Sequence, residues 1–415
     1  MKERKNFHWL NWLRFGLAIY IVLFHTLKEF YPFVRDDVFL YSLLNLGNLA
    51  TTIFFVLSGF LLTYVYISSA NNSNLDRKKF WIARFSSLYP LHFLTMLFSI
   101  PAFLFMLYIH NGVSVPIQPL GGGVRALATW EIWLALIMNV TLTQAWNPLY
   151  LLLNGPSWSL SALFFFYAVF PFAASWLNKA RRPGIALVLL GLLFLAPGFI
   201  AQFLLQSSMI TDGLLHRNPL IRLPLFLAGI ALAVIYARLS DSAGRVDSPM
   251  SRPIAISIVI VTLIGAAFFQ YAYPETKLYI LRNGLYYPAA IAIVWLCATQ
   301  RASATEWNRK WSSRMGKTSL PVFLLHSPLY DIFERVERFS RAFGMSETED
   351  FNLHALVLVA RSLDHKLVLF PLYLFLVIYL ADLCQVRFVE PLQSYLRGKL
   401  YRPDRLGGRK EILAV

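Results

Sequence analysis

The chain has 415 residues, of which 57% are hydrophobic, 16% aromatic and only 14% charged. A soluble domain of this length would carry nearer a quarter charged residues, so the composition excludes a soluble globular enzyme. The formal net charge of +16 does not signal nucleic acid. Lys and Arg gather in short segments between apolar runs, which is the pattern of positive-inside topology and of contact with membrane lipids.

Apolar periodicity predicts spans near 10–30, 42–67, 86–109, 158–177, 185–205, 220–237, 253–272, 281–299, 318–335 and 363–384. The N-terminus imitates a signal peptide, but its apolar run continues past Leu23 to His25 with no small-residue cleavage site, so it reads as a retained first span. That span keeps Arg14 and His25, and a bilayer penalises buried ionisable groups, which makes both functional candidates. Eleven residues apart is close to three helical turns, so the two share a face about 16 Å apart along the axis. A cation near one end and an imidazole deep in the membrane suit an elongated substrate with an anionic head and a reactive far end. Neutral imidazole is a natural general base. The plainer readings are a packing histidine and an arginine snorkelling to the headgroups. Glu29, one turn beyond His25, either hydrogen-bonds it and raises its basicity or stands solvated at the outer interface.

In the second span Ser58 and Gly59 read as close helix packing. His92, Trp146, Tyr150 and Trp158 read as interfacial anchors. Ser159 and Ser161 are polar positions inside the 158–177 span, and Gly121 to Gly123 form an outer loop. The stretch from His326 to Asp331 fits H-x4-D. On a helix, however, five residues turn the two side chains roughly 140° apart, and Pro328 interrupts the segment. Cys297 and Cys384 each lie in an apolar run, with no disulfide or metal spacing. No metal, nucleotide-loop or nucleophile-elbow motif occurs, so neither a metal nor a resident cofactor is expected.

Loop charge orients the chain. With Lys2, Arg4 and Lys5 in the cytoplasm, the segment carrying Arg77, Lys78, Lys79 and Arg84 is cytoplasmic too. If 130–146 also crossed, the later basic loops, beginning with Lys179, Arg181 and Arg182, would fall outside. The expected fold is therefore all-α and integral to the membrane. It has about ten transmembrane helices, both termini cytoplasmic, and one re-entrant or interfacial segment near 130–146. Arg338 and Arg341 depart from the rule by falling outside. The expected organisation is a transmembrane domain over 1–384 and a basic cytoplasmic tail over 385–415. The tail contains Gly407 and Gly408 and reads as frayed.

Five motifs occur in a characteristic order. Arg14 and His25, with ten residues between them, are followed by FFVLSGFL from Phe54 to Leu61. A basic segment with Phe80 and Arg84 ends at Tyr89 and Pro90. WSLS from Trp158 to Ser161 precedes FFFY from Phe164 to Tyr167 and then Pro171. GKTSLPVFLLHSP runs from Gly316 to Pro328. Together they resemble the acyltransferase-3 family of multi-pass O-acyltransferases, which modify bacterial polysaccharides, lipopolysaccharides and some macrolides.

The resemblance implies about ten spans in a bacterial cytoplasmic membrane and acyl-CoA as co-substrate. Arg14 and Arg84 would hold its phosphates, and the thioester would be presented to catalytic His25. The acceptor would be a hydroxyl of a sugar, polysaccharide precursor or lipid-linked glycan, with acetyl the expected acyl group. Glu29, Trp158, Ser159, Ser161 and His326 would line the cavity or acceptor site. Two positions depart from the family pattern. Ser87 stands where a second arginine is usual, which implies either weaker binding of the nucleotide end or a charge supplied by Lys78 or Lys79, and Leu163 stands where a glutamate is usual. The competing function is a proton-coupled transporter of a sugar or amphiphile, since intramembrane His and Arg also mark such pathways. Repeat symmetry between halves is lacking for it.

Overall fold

The computed structural model describes residues 7–37, 40, 41, 44, 46–66, 76–116, 124–205, 208–241, 251–272, 279–300, 305–345 and 353–400. Lys2, Arg4, Lys5, Gly121 to Gly123, Gly407 and Gly408 lie outside the described residues. The chain is helical almost throughout. In order come α1 (His8–Phe30), α2 (Gly47–Tyr66), α3 (Arg77–His110), a hairpin of β1 (Ser114–Pro116) and β2 (Val124–Ala126), and α4 (Thr129–Val140). Then follow α5 (Trp158–Lys179), α6 (Pro183–Leu204), α7 (Met209–Arg217), α8 (Pro219–Asp241), α9 (Ser251–Ala272) and α10 (Tyr287–Thr299). The last are α11 (Glu306–Met345), α12 (Leu353–Ser362), α13 (Phe370–Cys384) and α14 (Glu390–Leu400).

Eight helical stretches among the described residues are long and apolar enough to cross a bilayer. They account for eight of the ten expected spans, and the other two differ for identifiable reasons. The expected span 281–299 is broken: Asn283 and Gly284 leave helical geometry, Gly284 at φ 157, a region only glycine enters readily. The remaining α10 has 13 residues, about 20 Å of helix. The expected span 318–335 is the apolar middle of the 40-residue α11, about 60 Å long and charged at both ends.

Lipid tails are as apolar as leucine, so association in a membrane rests on close packing rather than on the hydrophobic effect. Helices α2 and α8 supply it through facing glycines. A Cβ on Gly59 would lie 2.0 Å from the Phe226 carbonyl oxygen, and one on Gly229 would lie 2.0 Å from that of Val56. The expected packing role of Gly59 is what the fold shows. Buried aromatics, including Phe55, Phe60, Phe166, Phe170 and Phe226, fill the layer around this crossing.

Helices α1 and α11 run parallel. His8 Nδ1 meets Ser312 Oγ at 2.8 Å near their beginnings, and His25 Nδ1 meets His326 Nε2 at 2.9 Å further along. The Trp12 indole donates to Asn308 Oδ1 at 2.8 Å. Between α1 and α11, among the described residues, lie α2, α3, α5, α6, α8, α9 and the broken helical stretch 279–299 that ends in α10, seven crossings. An odd number is what a parallel pair requires, and an eighth at 130–146 would reverse one partner. Helix α4 has only 12 residues, about 18 Å, against a hydrocarbon core of about 30 Å. It exposes Trp130, Trp133, Leu134 and Ile137, an apolar and aromatic face suited to the membrane interface.

Three expected interfacial anchors are instead buried, namely His92, Tyr150 and Trp158; Trp146 alone of the four is exposed. His92 Nε2 lies 2.7 Å from the Asn139 carbonyl and Tyr89 donates to Val140 O at 3.1 Å, so both fasten α4 to α3. Residues 385–400 of the expected tail are helical rather than frayed. The chain continues through a wide turn at Gln385–Val389 into α14, which folds back on α3: Arg397 Nε donates to Ser86 Oγ at 3.4 Å.

If α4 does not cross, cysteines placed at Ser114 and Trp146 should both react with an impermeant thiol reagent from the same side. One at Arg181 should react only from the other. Opposite labelling of Ser114 and Trp146 would place a crossing between them.

Candidate active site

Proline shapes the wall of α11. Pro328 has no N–H to offer the carbonyl of Leu324, four residues back. The side chain of Asn154, on the loop before α5, donates to that oxygen at 2.9 Å. Gln144 Nε2 donates to Ser157 O and Oγ, both at 3.1 Å, and Ser157 Oγ donates to Asn154 O at 2.6 Å. The 141–157 loop is thereby fixed against α11 one turn from His326. The expected interruption at Pro328 is absent, because the freed carbonyl has a new partner and the helix runs through.

His326 is fully buried. Its Nδ1 lies 2.6 Å from the Phe323 carbonyl oxygen, which can only accept, so Nδ1 carries the proton. Nε2 of the neutral ring is then an acceptor, and the group facing it at 2.9 Å is His25 Nδ1. His25 therefore donates through Nδ1, and its own Nε2 keeps a lone pair. The rings lie nearly parallel, 6° apart with centroids 5.1 Å distant. Tyr373 donates to the His326 carbonyl at 2.9 Å and holds the turn from the far side. His25 is accessible while its partner is buried, and its Nε2 has no protein partner among the described residues.

Glu29 is not the partner of His25 Nδ1, a place taken by His326; Glu29 acts electrostatically on Tyr330 instead. Asp331 likewise takes no part in the histidine pair, since both His326 nitrogens are engaged elsewhere. Ser161 donates to Leu142 O at 2.7 Å and accepts from Ala145 N–H at 3.2 Å. Ser159 donates to Pro156 O at 3.0 Å. Both serines are buried and serve the loop, so neither hydroxyl is offered to an acceptor. Trp158 stacks at a tilt on His216, centroids 4.9 Å apart.

His216 introduces a group of residues that the sequence reading missed. It lies in the electrostatic field of His25, Arg217, Arg222 and Arg282. Arg217 donates to Asn147 O at 2.7 Å and Arg222 to His216 O at 2.9 Å, while Arg282 pairs with Asp212 at 2.7 Å. These polar groups surround the broken segment at Asn283 and Gly284. Irregular backbone is tolerated at membrane depth only where protein or a cavity encloses it. The sequence signal was present, three arginines and a histidine flanking short apolar runs, but it reads equally well as loop charge.

At the other end of the α1 face, Arg14 and Arg84 lie in each other's field together with Tyr167. Arg84 Nη2 donates to Tyr66 Oη at 3.0 Å, and the guanidinium carbon lies 5.4 Å from that ring centroid. Its Nε is buried without a partner. Among the described residues no carboxylate pairs with Arg14 or Arg84. Arg397 joins them: its field reaches Arg84, and its Nη2 lies 3.5 Å from Ala83 O. The guanidinium thus sits beside Ser86 and Ala83, next to Ser87, where the resemblance implied a second arginine.

Fold and site define an all-helical, multi-pass membrane protein with a histidine pair on one side and clustered guanidiniums on the other. The chain belongs to the acyltransferase-3 family, whose model, described as an acyltransferase domain, matches residues 7–385. It is similar to acyltransferase MdmB of Streptomyces mycarofaciens, 29% identical over 242 residues, covering 54% of this chain and 56% of that protein. It is also similar to peptidoglycan O-acetyltransferase OatA of Listeria monocytogenes serovar 1/2a, 23% identical over 292 residues, 68% of this chain and 45% of that protein. A third relative, named protein 2 in picA locus, from Rhizobium radiobacter, is 31% identical over 191 residues, 45% of this chain and 90% of that protein. The chain spans about half the length of the first two. No solved structure matches it.

Replacing Asn154 with Leu leaves the Leu324 carbonyl without a donor. It should lower stability by about 1–3 kcal/mol, read as a fall in the thermal midpoint of the detergent-solubilised protein. An unchanged midpoint would mean the carbonyl is satisfied otherwise.

Proposed function

We propose that this protein is a membrane O-acyltransferase that moves an acyl group, acetyl in the simplest case, from acyl-CoA to a hydroxyl of a sugar or lipid-linked glycan. The observation that carries the reading is the chain Phe323 O, His326, His25, which leaves the lone pair of His25 Nε2 without a protein partner among the described residues. Family membership supports the reaction class. The names of two relatives, an acyltransferase and a peptidoglycan O-acetyltransferase, support acyl transfer, and the second supports a hydroxyl acceptor on a glycan.

The donor enters from the cytoplasmic end, where Arg14, Arg84 and Arg397 receive its phosphates through charge-assisted hydrogen bonds. The pantetheine arm follows the α1 face for about 16 Å and brings the thioester to His25. The acceptor O–H gives its proton to His25 Nε2 as its oxygen attacks the thioester carbonyl carbon. The C–S bond breaks as the tetrahedral intermediate collapses, and the CoA thiolate takes the proton back from the imidazolium. His326 accepts the Nδ1–H bond throughout and holds the ring in one tautomer, a positioning role comparable to the third member of a hydrolase triad. The trapped cluster of Arg217, Arg222 and Arg282 borders the acceptor side.

Purified protein should release thiol from acetyl-CoA, which a transporter would not do. His25→Ala should abolish the release, with general-base catalysis alone contributing about 10²–10⁴-fold. His326→Ala should lower kcat while leaving the KM for acetyl-CoA unchanged. Near-normal turnover in His25→Ala sinks the mechanism.

Arg397→Gln should weaken acetyl-CoA binding roughly tenfold, as Arg84→Gln should, each losing one charge-assisted bond to phosphate. Arg84→Gln weakening binding while Arg397→Gln leaves it intact would reduce α14 to a packing element.

A further inference from the structure

His8, His25, His92, His326 and His365 each have a ring nitrogen within hydrogen-bond distance of a protein group. His216 does not. No protein group among the described residues bonds either of its ring nitrogens, and Nδ1 is buried. The residue as a whole is half-buried. Leaving a buried polar atom unpaired costs stability, and a phenylalanine would stack on a neighbouring ring as well. A histidine kept at such a position calls for a reason beyond packing.

The backbone that carries this ring is firmly held. Helix α7 is capped by Ser208, whose Oγ accepts from Thr211 N at 3.1 Å. Gly213 approaches the loop before α5 so closely that a Cβ there would lie 1.8 Å from Pro148 O. Asn283 Nδ2 donates to Leu215 O at 3.2 Å, Arg222 Nε to His216 O at 2.9 Å and Arg217 Nε to Asn147 O at 2.7 Å. The His216 ring rests on Trp158, centroids 4.9 Å apart. From Trp158 a run of rings leads to the histidine pair. Trp158 packs on Phe55 at 5.9 Å, the adjacent Phe54 on Phe323 at 6.1 Å, and Phe323 on His326 at 6.1 Å. The electrostatic field of His25 also reaches His216. His216 is therefore a neighbour of the pair, carried on a different helix and rigidly mounted. An unpaired buried N–H is less tolerated than an unpaired acceptor. Nδ1 accordingly holds the lone pair and the proton sits on Nε2.

We propose that His216 is a second catalytic histidine, whose neutral Nε2–H donates to the thioester carbonyl oxygen as that oxygen becomes an oxyanion. The proposal rests on the acyl-transfer reading above and adds the group that stabilises its intermediate. As the acceptor oxygen bonds to the carbonyl carbon, the C=O electron pair moves onto oxygen and meets the His216 N–H. When the C–S bond breaks, that pair returns to carbon, and the proton never leaves Nε2. The two histidines thus divide the work by tautomer. His25 Nε2 carries a lone pair and takes a proton. His216 Nε2 carries a proton and keeps it. Stabilisation of this kind depends on a donor fixed in place before the charge forms, which the tethered α7 supplies.

The test is steady-state thiol release from acetyl-CoA by the purified full-length protein, with water as the acceptor. His216→Phe keeps a ring against Trp158 and removes the donor. It should lower kcat about 10²–10³-fold, the cost of losing one oxyanion donor, and leave the KM for acetyl-CoA unchanged. His216→Gln restores an N–H without a base and should recover roughly tenfold or more over the Phe variant. His25→Gln should stay as inactive as His25→Ala, because there a base is needed. Thermal melting checks that the variants fold, and His216→Ala serves if His216→Phe does not. A wild-type kcat in His216→Phe shows a packing ring and overturns the proposal. So does a Gln variant no better than the Phe variant, or a loss confined to KM. Absence of thiol release by the wild type defeats the acyl-transfer reading and this proposal with it. Release that is lost in His25→Ala and normal in His216→Phe defeats this proposal alone.

Discussion

The hydrogen bond between His25 and His326 joins residues 301 positions apart and holds the two helices that carry the site in one register. It is reinforced at the other end by His8 on Ser312 and Trp12 on Asn308. Polar bonds between helices are worth about 0.6–2 kcal/mol each in a membrane, so no single one fixes the bundle. Spread along the full length of α1, they allow one rotation and one vertical offset of the pair. That register decides that Arg14 looks toward Arg84 while His25 looks toward His326.

Around this pair the fold handles polar groups in a consistent way. A proline frees a carbonyl and a loop asparagine takes it. A helix breaks at Asn283 and Gly284, and arginines bonded to nearby carbonyls surround the break. Exposed irregular backbone would be costly in hydrocarbon. Each irregularity here is enclosed by protein, and each lies near His25 or the loop that supports His326. The guanidiniums at the opposite end are different: Arg84 Nε is buried without a partner, and no hydrogen bond or ion pair holds Arg14 among the described residues. Unpaired buried charge is expensive, and a phosphate-bearing ligand is the natural group to offset it.

Ser87, where the resemblance implied a second arginine, lies on a turn of α3 that receives a guanidinium from elsewhere in the chain. Arg397 reaches the same turn of α3 from the end of the chain. A basic tail offers no sequence signal for such a contact, because its charges look like ordinary cytoplasmic lysines and arginines until α14 is seen to fold back.

The sequence by itself determined the class of fold, the approximate spans, the interfacial character of 130–146 and the shared face of Arg14 and His25. These follow from local hydrophobicity, loop charge and helical periodicity, which need no knowledge of neighbours. Gly59 was legible as a close-packing position for the same reason. Only the tertiary structure decided that His326 and not Glu29 is the partner of His25, that Ser159 and Ser161 brace the 141–157 loop from α5, and that His92 is buried. It also brought Arg217, Arg222 and Arg282 beside His216, and Arg397 beside Arg84. Each of these depends on which helix stands next to which, and composition along one segment carries no record of its neighbours across the bundle.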